Sequence, residues 1–526
     1  MAAPKILYTD ILYGPKSGAP GGGGCFLSIF GRNFGAVLGN VSVTIGGGAA
    51  TPMFLGDAYS VLPGIQWIGV QLEAACATGA IKVTVSGVDS NTDQSFTVNS
   101  GAISWMSSVP TEGQISAMSP GDHIVIRAGT YDAEIYFHGV SGSAGLPLTV
   151  MGYPGETVLL NRTGAGTNIV KNFYNAADGT QGYYAFSNIK GNLNGGGSSG
   201  FALGGNSDLT DIRCVNNECQ GMFENAGGSA VFDGSGRKLR VLGCYAHDND
   251  GSKLYHAFYF DGRSPTPTDI ELAYNHIARQ KGGRGIQVYG DAGNIITDVR
   301  IHHNYVHEIH LDGILFSRDT GSGCKCYNNI VWGVGDSTLV HPTADDGGGG
   351  AALRLSNSGA SNQLELEAYN NTFYLNDVDG VAGTDLLFEN ATSLIFRNNI
   401  VYARAAYVGS TAGIGSLTSS NNLWRNGGAA PGFDSNPRTG DPKFTDAAAR
   451  DFSILVGGDG IDQGSSAVSS VVTDDFRNLA RPQNSLYDIG AYEFDVGGEP
   501  AVGVALYDSD YNIRQAQTNP LTVSRW

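Results

Sequence analysis

From about residue 101 onward, short runs alternate β-branched or aromatic residues with polar ones. Each run carries an asparagine at the same place: "IRCVNNE" (Asn216), "IELAYNHI" (Asn275), "IHHNYV" (Asn304), "KCYNNIV" (Asn328), "EAYNNTF" (Asn370), "FRNNIV" (Asn398) and "SSNNLW" (Asn421). "VLGCYAH" fits the series with Cys244 in the asparagine slot. The intervals run from 23 to 42 residues and cluster at 28–31. Strand-like alternation at such intervals, without helical periodicity, is the mark of a repeat architecture. An asparagine recurring at one turn can hydrogen-bond its amide to the equivalent asparagine one rung away. The pattern predicts an all-β chain whose main body, 101–496, is a right-handed parallel β-helix. Its rungs would stack about 4.8 Å apart around a bore of apolar side chains. Residues 497–526 are a tail or a final strand.

Residues 1–100 read differently. "CFLSIFG", "NVSVTIGG", "IQWIGVQL", "AIKVTVSG" and "SFTVN" are short strands separated by glycine turns at roughly ten-residue spacing. That spacing predicts a small β-sandwich. The run "GGGGCFLSIFGRNFG", followed by "VSVTIGG" and "GAIKVTVSGVDSN", resembles the immunoglobulin-like IPT/TIG domain, with "GRNFG" as its turn. The resemblance implies a spacer, docking or carbohydrate-adjacent module without chemistry of its own.

Three rungs align at a spacing of 28 without insertion: "HAFYFDGR" from His256, "RGIQVYGD" from Arg284 and "DGILFSRD" from Asp312. Alternation points Phe258/Phe260, Ile286/Val288 and Ile314/Phe316 into the bore. Tyr259/Gln287/Leu315 and Asp261/Tyr289/Ser317 then stand outside in columns, and the following turn stacks Arg263, Asp291 and Asp319. "AALRLSN" adds Arg354 outside on the next rung. In "HHNYVHEIHLDGILFSRDTG", His302 and His303 are expected on opposite faces of one strand. His307 and His310 are expected at a turn, with Arg318 and Asp319 at the strand exit.

Composition sharpens this picture. The chain has 77 glycines in 526 residues without a collagen-like period, which suits an all-β protein with many tight turns. A net charge of −18 argues against nucleic acid as a partner, because phosphate contact needs a basic surface. No apolar run reaches membrane-spanning length, so no membrane partner is expected. Residues 236–326 stand apart, with 11 Lys and Arg against 10 Asp and Glu, leaving 20 against 39 elsewhere. They also hold seven of the ten histidines. An outer face of Tyr, Gln, Arg, Asp and His suits a sugar polymer, since rings stack on pyranose faces and planar amides and guanidinium groups bond hydroxyls or carboxylates. The bland alternative is a hydrated sheet face. Among the seven cysteines, Cys25 and Cys76 either pair or serve as small buried side chains. The two thiols of "CKC" (324–326) lie on one strand face and cannot easily bond each other.

Both ends of the solenoid carry a resemblance. "SPGDHIVIRAGTYDAEIYFHGVSGSAGLPLTVMGYPGETVLL" (119–160) is similar to the opening rungs of family 6 and family 9 polysaccharide lyases. "GDPKF", "DFSILVGGDGIDQGSS" and "DFRNLARPQNSLYDIGAYEF" resemble the closing rung of secreted bacterial β-helix proteins. "CYAHDNDGSKLYHAFYFDG" resembles the acidic calcium rung of family 9 pectate lyases, which implies Asp248 and Asp250 as calcium ligands. Where that family carries its basic lysine, this chain has Gln287, so either Lys281 or Arg284 substitutes or the resemblance stops at the fold. No organic cofactor is expected. "TADDGGGG" (343–350) is an acidic turn, read as a loop.

Three functions follow as expectations. The first is a polysaccharide lyase acting by β-elimination on a uronate-containing glycan, with calcium, Arg284 or Arg318 neutralising the carboxylate and Lys281, Arg284, His256 or Tyr259 as base. The second is a glycoside hydrolase using paired aspartates, Asp291 with Asp319 or Asp261 with Asp312. The third is a non-catalytic adhesin or phage tail protein that binds glycan. In all three the polymer is held by His256, Arg263, Gln287, Tyr289, His307, His310, Arg318 and Arg354. The chain starts without an apolar signal core, which leaves open a mature secreted protein with an added Met, a cytoplasmic product and a phage particle protein, with a secreted or extracellular location expected. Oligomeric state is left open.

Overall fold

In the computed structural model the described residues are 2–164, 168–171, 182–194, 199–204, 209–224, 229–264, 267–290, 294–339, 350–357, 363–380 and 384–495. Asp291, most of the acidic turn 343–350 and the tail 497–526 lie outside them. Three long parallel sheets wind into a right-handed β-helix, each rung giving one strand to each sheet. The first sheet runs from Ile103–Met106 to Ser416–Ser420, the second from Gly129–Tyr131 to Leu423–Arg425, and the third from Ile135–Tyr136 to Leu386–Glu389. Phe258, Phe260, Ile286, Val288, Ile314 and Phe316 are all fully buried in the bore, as alternation requires. Rings pack along it, Phe201 stacked on Phe232 at 4.9 Å and Phe232 tilted against Phe258 at 4.8 Å. Each such side chain contributes about 2–3 kcal/mol by leaving water.

The first rung is closed by a short helix, Glu112–Ser116, held by a capping box between Thr111 and Gln114. Its Ile115 packs into the top of the bore with Val109 and Met118. At the other end Trp424 and Phe433 fill the bore. There Asp434 Oδ2 accepts from Asn422 Nδ2 at 2.9 Å and Trp424 Nε1 at 2.8 Å.

That aspartate ends the asparagine ladder, whose register differs from the expected one. Asn275, Asn304, Asn329, Asn371, Asn399 and Asn422 hydrogen-bond in sequence inside the corner between the first and second sheets. In each "NN" pair the second residue makes the ladder. The first, at Asn216, Asn328, Asn370, Asn398 and Asn421, takes the left-handed conformation that turns the corner and projects outward. Where only one asparagine is present, Tyr274 and His303 take the turning position. Cys244 does sit in the ladder slot, its backbone N–H donating to Asn275 Oδ1 at 2.8 Å. Chirality is the cause: only one residue per corner can be left-handed, and Asn tolerates it best after Gly.

The outward corner residues dock the rest of the chain. Asn421, Asn398, Asn370 and Asn328 donate through Nδ2 to the carbonyls of Gln463, Ser465, Asp488 and Asp474. Residues 441–494 therefore do not form a closing rung. They run back along the corner as a strap, because its carbonyls match the projecting amides. Toward the N-terminal end the same corner meets the N-terminal domain: Asn216 Oδ1 accepts from Tyr59 N at 2.6 Å, and Asn188 Nδ2 donates to Ser28 Oγ at 2.9 Å. Gly243 is left-handed, and a Cβ there would lie 2.1 Å from the Tyr8 hydroxyl.

The N-terminal domain is a mostly antiparallel sheet of nine strands that fits a sandwich. The five expected strands are present, and Lys5–Thr9, Tyr13–Pro15, Gly48–Asp57 and Val88–Asp89 join them. "GRNFG" turns at Asn33 and Gly35, both left-handed. Rather than standing off as a spacer, the domain packs on the coil. Tyr8, Phe30, Leu62 and Trp67 share a core with Val215, Leu242, Ala273 and Tyr305. All seven cysteines are free and buried, so Cys25 and Cys76 are unpaired. No helix among the described residues is long and apolar enough to cross a membrane.

Candidate functional site

The three aligned rungs lie side by side in the third sheet, Tyr255–Asp261, Ile286–Tyr289 and Ile314–Ser317. The register pairs Tyr259 with Gln287 and Leu315, and Asp261 with Tyr289 and Ser317. It continues to Asp233 on the preceding rung, opposite Tyr259, and to Arg354 on the following one. Both outer columns thus stand as alternation predicts.

Two ionic clusters occupy this face. In the first, Arg263 reaches Asp233 Oδ1 through Nη2 at 2.7 Å and Asp261 Oδ2 through Nε at 2.6 Å. Burial, opposed by Arg263 and reinforced by Asp261, pushes the Asp233 carboxyl up to about 6. Burial would lower the Arg263 pKa, but the two carboxylates more than offset it and hold the guanidinium charged. Burial and the nearby Asp261 push the Tyr259 hydroxyl well up. Tyr259 and Tyr289 lie 6.0 Å apart, and the Arg318 guanidinium sits 4.6 Å over the Tyr289 ring.

In the second cluster, Arg284 Nε donates to Asp312 Oδ2 at 2.8 Å, and the backbone of Ala351 donates to Asp312 Oδ1 at 3.1 Å. Arg354 lies 3.7 Å from Asp312 and 3.3 Å from Glu389. His256 Nδ1 accepts the Arg284 backbone N–H at 3.2 Å, which puts the ring proton on Nε2. Burial, then the Arg284 charge, hold that ring neutral. Gln287 faces Arg284 and Ser317 at 3.4 and 3.5 Å.

Other expected site residues stand elsewhere. His307 is not at a turn. It is fully buried in the strand Tyr305–Ile309 of the second sheet, stacked on Trp332 at 4.6 Å and 2.8 Å from His276 across their Nε2 atoms. The strand runs on past His307 before the left-handed Glu308 breaks its alternation, so Val306 and Ile309 both enter the bore. His310 is also buried, with Nδ1 against the Asp336 carbonyl at 3.2 Å. His302 and His303 do not diverge: the left-handed corner at His303 brings their Nδ1 atoms to 2.8 Å. Lys281 is exposed in the turn that follows Gln280, and Asp319 is at the exit of its strand as expected.

The acidic rung does not fit a calcium ion. Both Asp248 oxygens are taken by Arg279, at 2.6 and 2.7 Å, and His247 contacts one of them at 2.6 Å. Burial would raise the Asp248 pKa, yet these partners hold it far below the carboxylate range. Asp250 caps its neighbour's backbone at Gly251. A cation there would compete with a guanidinium already in place.

Asp233 is the site residue that sequence reasoning missed. Its signal was the repeated "FDG" of Phe232–Gly234 and Phe260–Gly262, one rung apart.

No protein-family model matches the chain, and no curated protein matches it. Among solved structures, pectate lyase Pel9A is similar at 14% identity and a TM-score of 0.48, covering 73% of this chain and 90% of its own. An alginate lyase from Paenibacillus sp. str. FPU-7 is similar at 15% identity and a TM-score of 0.29, covering 59% of this chain and 94% of its own. A family 28 exopolygalacturonase of Yersinia enterocolitica is similar at 10% identity and a TM-score of 0.24, covering 83% and 99%.

Proposed function

We propose that this protein is a carbohydrate-active enzyme that cleaves a polysaccharide on the outer face of the third sheet, by hydrolysis through Asp233 and Asp261. The observation that carries this reading is the shared guanidinium of Arg263, which contacts both carboxyl groups while their environments differ. A carboxyl pushed up to about 6 keeps its proton in mildly acidic solution, and so suits the general acid that protonates a leaving glycosidic oxygen. The second carboxyl group, Asp261, lies against the same guanidinium at 2.6 Å. It can activate water or steady the positive charge that develops at the sugar ring. Tyr259 offers a face for a pyranose ring, and Arg318, seated over Tyr289, offers charge to an acidic unit.

β-Elimination on a uronate draws less support. Arg284 is tied to Asp312, the Tyr259 hydroxyl is pushed away from ionisation, and His256 offers a ring N–H rather than a lone pair. A purely binding role leaves the raised Asp233 without a use.

The test is digestion of a panel of polyuronates and neutral glycans, reading both new reducing ends and the ultraviolet absorbance of unsaturated uronate. Hydrolysis gives reducing ends alone, lost in Asp233→Asn and Asp261→Asn. Unsaturated product that survives both substitutions overturns this reading in favour of the lyase, and binding without product favours the adhesin.

A further inference from the structure

A second polar and aromatic surface lies on a different face of the coil. The outer column of the second sheet places Trp332, Tyr374, Tyr402 and Arg425 on four consecutive rungs. Trp332 is covered by Arg450, whose guanidinium carbon is 4.1 Å from the ring. Tyr374 and Tyr402 adjoin at 5.1 Å and are walled by Phe444 at 5.8 and 6.3 Å. Both tyrosines are partly exposed, and neither hydroxyl hydrogen-bonds to protein among the described residues. Arg404 and Arg425 beside them are exposed.

The segment that carries Tyr402, Arg404 and Arg425 is locally basic, whereas the segment of Tyr374 carries Asp377, Asp379 and Asp385, of which Asp377 and Asp385 are buried. Residues 397–450 carry six Lys and Arg against three Asp and Glu, in a chain of net −18. One of the three acids, Asp434, is buried at the end of the asparagine ladder. Asp446 is used in its own turn, accepting from Ala449 N at 3.0 Å. Arg404 keeps one contact, from Nη2 to the Leu375 carbonyl at 3.3 Å.

We infer that this surface is an accessory binding site for an anionic polysaccharide, with Tyr374 and Tyr402 under the sugar rings and Arg404 and Arg425 on its carboxylates or sulfates. The two rings are inclined at 51° and leave no parallel slot between them, which suits saccharide faces better than stacked bases. The site does not depend on cleavage at Asp233 and Asp261, so the two readings fail separately.

The experiment is affinity electrophoresis of the full chain in native gels cast with polygalacturonate, alginate, dextran or single-stranded poly(U). The polyuronates retard the wild type, and dextran does not. Tyr402→Ala and Arg425→Ala together weaken that retardation about tenfold. Arg425→Lys, which retains the charge, restores part of it when Tyr402 is kept. Circular dichroism confirms that the variants are folded, and hydrolysis of a short oligosaccharide is unchanged. Equal retardation of wild type and double variant overturns the proposal. So do equal retardation by dextran, tighter binding of poly(U), or no retardation of the wild type at all.

Discussion

Asn329 accepts through its Oδ1 both the backbone N–H and the side-chain Nδ2–H of Asn304, each at 3.0 Å, from one rung away. Its own Nδ2 donates to the Ile301 carbonyl at 2.9 Å. Asn328, its immediate neighbour, points out of the coil to the strap at Asp474. Adjacent residues of one type thus hold the coil together and hold the strap on.

The two should therefore respond differently to substitution. Asn329→Ala leaves buried donors on Asn304 without an acceptor and is expected to cost roughly 2–4 kcal/mol. Asn328→Gly keeps the left-handed corner and loses the Nδ2 contacts to the Asp474 carbonyl and to His303 Nε2, a cost of about 1–2 kcal/mol. Urea unfolding of the two variants checks the order.

Asp233→Asn should abolish cleavage, with a loss of about 10²–10⁴-fold, and should also stabilise the protein in alkaline solution. The folded carboxyl titrates at about 6, above the usual value of 3.8. Its contribution to stability is therefore whole below the unfolded pKa and is lost as pH rises through about 6. At pH 8 the wild type is expected to be less stable than the variant by about 2–3 kcal/mol, and the gap closes in acid. Thermal unfolding across pH measures this. The same titration predicts cleavage by the wild type that declines as pH rises through about 6.

Arg284 and Asp312 make a pair in which the aspartate is 2% exposed. Asp312→Ala would leave the guanidinium without its carboxylate and is expected to cost roughly 3–5 kcal/mol. Asp312→Asn keeps an acceptor and should retain cleavage. Complete loss of activity in a folded Asp312→Asn would instead place this aspartate in the chemistry.

His123 lies where the first rungs meet the N-terminal domain, close to Cys25 around Gly14. Neither ring nitrogen has a partner among the described residues. Burial pushes the ring down to about 4, with Asp122 opposing slightly. Unfolding then takes up a proton as pH falls below about 6.5, so stability should drop by roughly 3 kcal/mol between there and pH 4. His123→Leu should flatten that part of the acid limb, which a stability-against-pH series would show.

How much of this was legible in the sequence depends on the range of the interaction involved. Inward and outward positions are set by a backbone of period two, so Phe258, Ile286 and Ile314 fall inside, and Tyr259, Gln287 and Leu315 outside, on local grounds. The repeat interval alone set which rungs are neighbours, and that brought Arg284 beside Asp312. What a side chain meets across the corner is not local. Which asparagine of a pair turns outward depended on the one left-handed position per corner. The burial of His307 depended on where its strand ends, and on a second-sheet face where its partner His276 meets the Ser60 carbonyl and Arg450 covers Trp332. Asp248 was given to a cation by its own segment and to Arg279 by the next rung. Asp233 gained its raised pKa only when the coil brought it to Arg263 and Asp261, 30 and 28 residues further along the chain. Sequence by itself determined the coil, its bore and its columns, because these follow from repetition and alternation. Tertiary structure alone decided the partners of the charged groups, because desolvation and ion pairing are set by whatever packs nearest in space.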